Sequence, residues 1–210
     1  MSETFGVLIF PQAEELDFVG PWEMITMWSK YADGPANCLL IAQSNEPVSC
    51  AKGMSVLPHV DFGACPQLDY LLVPGGQGTR AEVGNPVLLE FVAKQAAGCR
   101  ALFSVCTGAF VLHAAGLLSG KRATTHWGSL KRLRALGDVS VVEERLVHDG
   151  KVWSSAGVSA GIDLMLAFIS SAVSPETAGK VQFAAEYYPS PVRYGGFEGH
   201  ADAPAYVRGV

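Results

Sequence analysis

The sequence predicts an α/β fold built on a mainly parallel sheet with helices on both faces. Short apolar runs bounded by turn residues alternate along the chain with stretches of helical periodicity, the pattern of parallel strands joined by helical crossovers. Apolar residues make up 49% of the 210 positions and charged residues 17%, ample for a core and unlike a disordered chain. That length suits one domain better than two. We expect a single α/β unit over residues 1–188, with 189–210, rich in Gly, Pro and Tyr, as an irregular tail packed on it.

The elements follow in order. Residues 5–10 read as a buried strand that Pro11 ends, and Gly20-Pro21 opens a helix to about Trp28, since proline suits a first helical turn. Residues 38–43 form a second strand, and 48–50 with 54–58 form short strands about the Lys52-Gly53 turn. The strand 68–74 runs directly into Gly75-Gly76-Gln77-Gly78. Asn85-Pro86 starts a helix that reaches Gly98, residues 101–105 are a strand, and 107–118 a helix rich in alanine and leucine. A short basic helix spans 130–136. Residues 139–148 and 152–155 read as a hairpin about Asp149-Gly150, and helices over 159–171 and 175–187 close the domain.

The net charge of −5 holds out no strong attraction to nucleic acid or to an anionic membrane surface. The acidic Met1-Ser2-Glu3-Thr4 start lacks the basic character of a secretory signal, and the apolar run behind it is too short to span a membrane. Five cysteines, an odd number with no C-x-x-C pair, suit free thiols in a reducing cytoplasm. The five histidines show no metal-ligand spacing, so no metal is expected.

In a parallel sheet, ligands gather beyond the C-terminal strand ends. Three loops meet that description: 11–20, 74–78 and 105–108. In the last, Cys106 stands between a buried strand and a helix of small residues, the arrangement of a nucleophile elbow, with Gly108 permitting the tight turn. A helix N-terminus beneath the sulfur is expected to favour thiolate and lower the Cys106 pKa. The other four cysteines read as small buried apolar residues. Gly75 and Gly76 leave backbone amides open to a ligand, and the Gly76 amide with that of Thr107 forms a candidate oxyanion pocket. Asp17, flanked by Leu16 and Phe18, is a candidate proton carrier because apolar surroundings raise a carboxyl pKa, with a capping or solvated role as the plainer alternative. His126 in Ala123-Thr-Thr-His126-Trp127 is the best placed of the histidines as an accessory group. Phe18, Trp22, Trp127 and Tyr188 are candidates for an apolar pocket, with ordinary core packing the expected role of most of them.

Together these residues resemble the ThiJ/PfpI superfamily, the class I glutamine-amidotransferase-like proteins, and within it the bacterial isocyanide hydratases. The matching stretches are Leu16-Asp17 with Gly20-Pro21, Val73-Pro-Gly-Gly76, Ser104-Val-Cys-Thr-Gly108, Gly120-Lys-Arg-Ala-Thr-Thr-His-Trp127, and Ala156-Gly157 through Asp163. The resemblance implies a flavodoxin-like three-layer sandwich and a homodimer. It also implies cofactor-independent catalysis on a small-molecule substrate by Cys106 beside Asp17. Many superfamily members carry glutamate where Asp17 stands, and the proteases carry histidine at the position of Thr107; both differences point to the hydratase branch. The Gly- and Tyr-rich tail departs from that branch. Two other activities fit the same fold: a ligand-sensing domain like those of AraC-type regulators, and glyoxalase- or deglycase-type chemistry.

Overall fold

The structure, a computed structural model, describes residues 3–192 and 194–208, without the side chain of Phe197. Met1 and Ser2 of the expected domain, and Arg193, Gly209 and Val210 of the expected tail, lie outside the described residues. The strands are β1 (Thr4–Leu8), β2 (Asn37–Ala42), β3 (Val48–Ser49), β4 (Ser55–Val56), β5 (Val60–Asp61), β6 (Tyr70–Val73), β7 (Ala101–Val105), β8 (Arg122–Ala123), β9 (Ser140–Val141), β10 (Leu146–Asp149) and β11 (Val152–Ser155). The helices are α1 (Glu15–Tyr31), α2 (Thr79–Glu82), α3 (Pro86–Gly98), α4 (Gly108–Ala114), α5 (Leu130–Arg134), α6 (Ala160–Ala172), α7 (Pro175–Ala184) and α8 (Ala205–Arg208).

The central sheet has the order β10-β11-β7-β6-β1-β2-β5, and every pairing in it is parallel except β10 with β11. β1, β6 and β7 are buried along their whole length, which explains why their sequences are near-continuous apolar runs rather than alternating ones. One face is covered by α1, α6 and α7, which pack on one another, and α2 and α3 pack with α4. The result is the expected three-layer α/β sandwich. Between the sheet and α6, Phe103 and Phe168 meet edge to face at 4.7 Å, and Trp28, Tyr70 and Trp153 extend that aromatic core. No helix among the described residues is long and apolar enough to cross a membrane.

Several expectations need correction. α1 begins at Glu15, so Pro21 lies inside the helix and leaves the Asp17 carbonyl without its usual intrahelical donor. Burial of Phe18, Gly20, Pro21 and Met24 against the core holds that turn despite the loss. Asp17 therefore sits in the first helical turn and not on a loop. The strand expected over 139–148 is two strands: β9 pairs with β8 in a separate small sheet, and β10 pairs with β11. The intervening Glu143 and Arg145 are drawn to partners off the sheet, Arg134 and Asp163. α4 is shorter than the expected 107–118 helix, closing at Ala114 with Gly116 donating to the His113 carbonyl. β5 and α2, of two and four residues, are too short to leave a periodic signal.

Candidate active site

Four strand ends converge because β1, β6, β7 and β11 run in the same direction and are consecutive in the sheet, in the order β11-β7-β6-β1. Cys106 follows β7 directly and adopts φ 56°, a left-handed conformation that costs a non-glycine residue about 1 kcal/mol or more. Its neighbours over-determine it. The Cys106 amide donates to the Ala156 carbonyl at 3.1 Å, and its own carbonyl accepts the Thr125 hydroxyl at 2.7 Å. The thiol residue is 7% exposed.

Asp17 projects from the first turn of α1 and is fully buried. Its Oδ2 accepts the Gly75 amide at 2.8 Å. Its Oδ1 is buried without a hydrogen-bond partner among the described residues, and the carboxyl as a whole feels the Cys106 thiol and the Val158 amide. Burial pushes the Asp17 carboxyl up to about 7, although the Gly75 amide, Cys106 and Val158 pull the other way. The carboxyl thus titrates near neutrality, as an acid in apolar surroundings should.

The thiol behaves contrary to expectation. Burial, and then the charge of Asp17, push Cys106 up to about 12, against the opposing pull of the Thr107 and Val158 amides. A helix N-terminus was expected to lower it. α4 has only seven residues, and its amides do not offset desolvation plus a neighbouring carboxylate. Cys106 is held as a thiol next to a group that can take its proton.

The glycine pair is also used differently from the expected oxyanion pocket. The Gly75 amide is committed to Asp17, and the Gly76 amide donates to Thr107 Oγ1 at 3.0 Å. The Thr79 hydroxyl in turn donates to the Gly76 carbonyl at 2.8 Å. Both glycines are required sterically. A Cβ on Gly75 would lie 2.5 Å from the Thr107 nitrogen and 2.7 Å from Asp17 Oδ2, and Gly76 takes φ +115°. Loop 74–76 therefore clamps Asp17 and Thr107 in place, and the amides facing the sulfur are those of Thr107 and Val158.

His126 accepts the Gly128 amide on Nδ1 at 3.2 Å, and burial lowers its pKa, which keeps the ring neutral. The structure gives it no hydrogen bond to Cys106 or Asp17 among the described contacts. Of the apolar candidates, Phe18 belongs to the core and Trp22 stacks on His59 at 5.6 Å. Tyr188 is 62% exposed and Trp127 46% exposed, the latter beside the C-terminal segment. Sequence reasoning missed Val158, Thr125 and Thr79. Val158 carries the clearest missed signal: it lies in the turn between a buried strand and a helix, the same setting as Cys106, and it too has positive φ, at 52°.

The sequence matches the DJ-1/PfpI family over residues 5–171. It is 39% identical over 191 residues to the isonitrile hydratase of Pseudomonas putida, covering 91% of this chain and 81% of that protein. It is 31% identical over 182 residues to the HTH-type transcriptional regulator CdhR of Pseudomonas aeruginosa, covering 86% of this chain and 54% of the regulator. Among solved structures, a ThiJ/PfpI family protein from Pseudomonas syringae superposes with a TM-score of 0.85 at 33% identity, covering 100% of this chain and 84% of that one. The shared fold and the extent of the sequence match establish that this chain belongs to the DJ-1/PfpI family.

Proposed function

We propose that the protein is a cysteine-dependent hydratase that converts organic isocyanides to N-substituted formamides, with Cys106 as nucleophile and Asp17 as proton carrier. One observation carries the reading: Cys106, buried on a left-handed strand-to-helix turn, lies beside the buried Asp17 carboxyl that the Gly75 amide holds and burial raises to about 7. Likeness to the Pseudomonas putida isonitrile hydratase supports the substrate class. An isocyanide R–NC presents a terminal carbon that accepts a soft nucleophile, and sulfur is the softest available in a protein.

The chemistry follows from the protonation states. Asp17, as carboxylate, takes the thiol proton while Sγ bonds to the isocyanide carbon. Asp17 then returns that proton to the same carbon, giving the thioimidate R–N=CH–S on Cys106. Next, Asp17 removes a proton from water as its oxygen attacks the thioimidate carbon, and the nitrogen receives that proton. Collapse breaks the C–S bond, and the departing sulfur regains a proton from the hydroxyl through Asp17, releasing R–NH–CHO. The Thr107 and Val158 amides stabilise negative charge on sulfur as it bonds and leaves. Gly75 and Gly76 position Asp17 and Thr107, and His126 serves as a neutral accessory on the rim.

In this reading the protein acts on a small molecule, without metal, cofactor or nucleic acid, as a cytoplasmic homodimer. Its five free cysteines suit that reducing compartment. A ligand-sensing role is the second reading, supported by the match to about half of a transcriptional regulator. Incubating the purified protein with an aryl isocyanide, with methylglyoxal in parallel, separates these readings. Formamide should appear with the wild type and not with Cys106→Ala. Turnover that survives Cys106→Ala removes the nucleophile assignment, turnover of methylglyoxal alone favours glyoxalase chemistry, and an intact fold with no turnover favours the sensor.

A further inference from the structure

Away from Cys106, a cavity of about 260 Å³ lies between α2, α4 and α5, lined by Thr79, Arg80, Val83, Phe110, Arg132 and Leu136. Two guanidinium groups meet there, on Arg80 and Arg132, and no carboxylate lines the cavity with them. Neither arginine belongs to an ion pair among the described residues. The contrast within α5 is direct. Lys131 pairs with Asp202 at 3.2 Å and Arg134 with Glu143 at 2.6 Å, while Arg132 between them faces the cavity instead. With 20 acidic residues against 15 basic ones, the chain has no shortage of carboxylates that could have filled this place.

Both arginines are held in position. The Arg132 guanidinium lies 3.8 Å from the centroid of the Phe110 ring, which supports one face of it. Its N–H groups donate to none of the described residues. Arg80 Nη1 donates to Gln77 Oε1, which leaves the other N–H groups of that fork open. Burial, and then the charge of Arg80, hold Arg132 below the usual arginine range. An oxyanion between the two would relieve this repulsion and match their planar donors. The rest of the lining is apolar, from Val83, Phe110 and Leu136, because the Thr79 hydroxyl is already taken up by the Gly76 carbonyl and Thr107. The cavity is smaller than the about 300–1,000 Å³ of sites for drug-sized ligands, so a small ligand fits it.

We propose that this cavity binds a small organic oxyanion, a carboxylate or phosphate monoester on a short apolar stem. Arg80 and Arg132 grip the head group, and Val83, Phe110 and Leu136 hold the stem. The site uses neither Cys106 nor Asp17, so it stands apart from the isocyanide reading.

Calorimetric titration of the full chain with benzoate, phenyl phosphate, inorganic phosphate and neutral benzamide tests the proposal. At least one aromatic anion should bind with a Kd of about 1 mM or tighter, the scale for a ligand of so few atoms, and the tighter one identifies the head group. Benzamide, which lacks the charge, and inorganic phosphate, which lacks the stem, should bind about tenfold more weakly or worse. Arg80→Gln and Arg132→Gln should each weaken the aromatic anion about tenfold or more, the scale for a hydrogen bond between charged groups. Arg122→Gln removes an exposed arginine outside the cavity, and it should bind as the wild type does, as should Cys106→Ala. The proposal is overturned if neither aromatic anion binds below about 10 mM, or if benzamide or inorganic phosphate binds equally well. Full binding by both cavity variants would also overturn it, as would equal weakening by Arg122→Gln or Cys106→Ala. Sedimentation of the same proteins adds a last arm. If Arg80→Gln or Arg132→Gln breaks up an oligomer of the wild type, an acidic side chain of a second copy fills the cavity and the small anion is ruled out.

Discussion

Asp17 and Cys106 are 0% and 7% exposed, locked by backbone contacts at the converging strand ends, whereas Trp127 is 46% exposed and is bordered by a terminal segment. Cys106 is held at a positive φ and Asp17 as a desolvated carboxyl, both of which cost stability. The outer groups are held by a few exposed hydrogen bonds such as Ala205 to Glu143 and Lys131 to Asp202. The contrast teaches a division of labour. Strain and burial at the site set proton affinities, which only a rigid scaffold can do, while the surface around Trp127 carries no such constraint and can vary without disturbing the fold.

The sharpest way to break this comparison is Asp17→Asn. Loss of the proton carrier should lower kcat/KM by about 10³-fold, within the range for general acid–base groups. The same change should stabilise the protein at pH 8. Asp17 is raised from 3.8 to about 7 on folding, so the folded state binds the extra proton and stability falls as pH rises from about 4 to 7. A shift of that size corresponds to at most about 4 kcal/mol. Thermal melts at pH 8 should therefore show a midpoint gain of about 5 °C for the variant, disappearing near pH 4, where Asp17 is already neutral. Equal melting at both pH values would mean that burial of Asp17 carries no such cost. In the wild type, kcat/KM should rise with pH through about 7 as Asp17 ionises, and a flat profile there would remove Asp17 as the base.

A smaller effect is expected from Gly75→Ala. The added methyl would be forced against the Thr107 nitrogen and Asp17 Oδ2. Chemical denaturation should show a loss of about 2 kcal/mol, with activity reduced through displacement of Asp17. An unchanged midpoint would show that the loop yields where the site is described as rigid. Smallest is Thr79→Val, which removes one of three donors to the Gly76 carbonyl, together with the hydroxyl contact to Thr107, while leaving Asp17 and Cys106 untouched. It should cost about 1 kcal/mol by the same assay and alter turnover by less than about threefold. A larger catalytic loss would place Thr79 in the site itself.

Much of the fold was legible because it is written locally. The buried runs of β1, β6 and β7 announce parallel strands, and Asn85-Pro86 marks the start of α3, where the Asn85 side chain does accept the Val87 and Leu88 amides. The start of α1 was misplaced because Pro21 is usually a first-turn residue, and only tertiary packing keeps it in a helix interior. The division of 139–148 was hidden because Glu143 and Arg145 choose partners distant in sequence.

By itself the sequence determined that Cys106 stands on a strand-to-helix turn, that Asp17 is an acid among apolar neighbours, and that Gly75 and Gly76 follow a buried strand, since periodicity and turn chemistry are properties of neighbouring residues. Only the tertiary structure decided that the thiol is raised and not lowered, because burial and the charge of Asp17 outweigh a seven-residue helix. It also decided that the glycine amides serve Asp17 and Thr107, and that Val158 joins the site. Desolvation and long-range contact depend on what the rest of the chain places nearby, and no local pattern contains that.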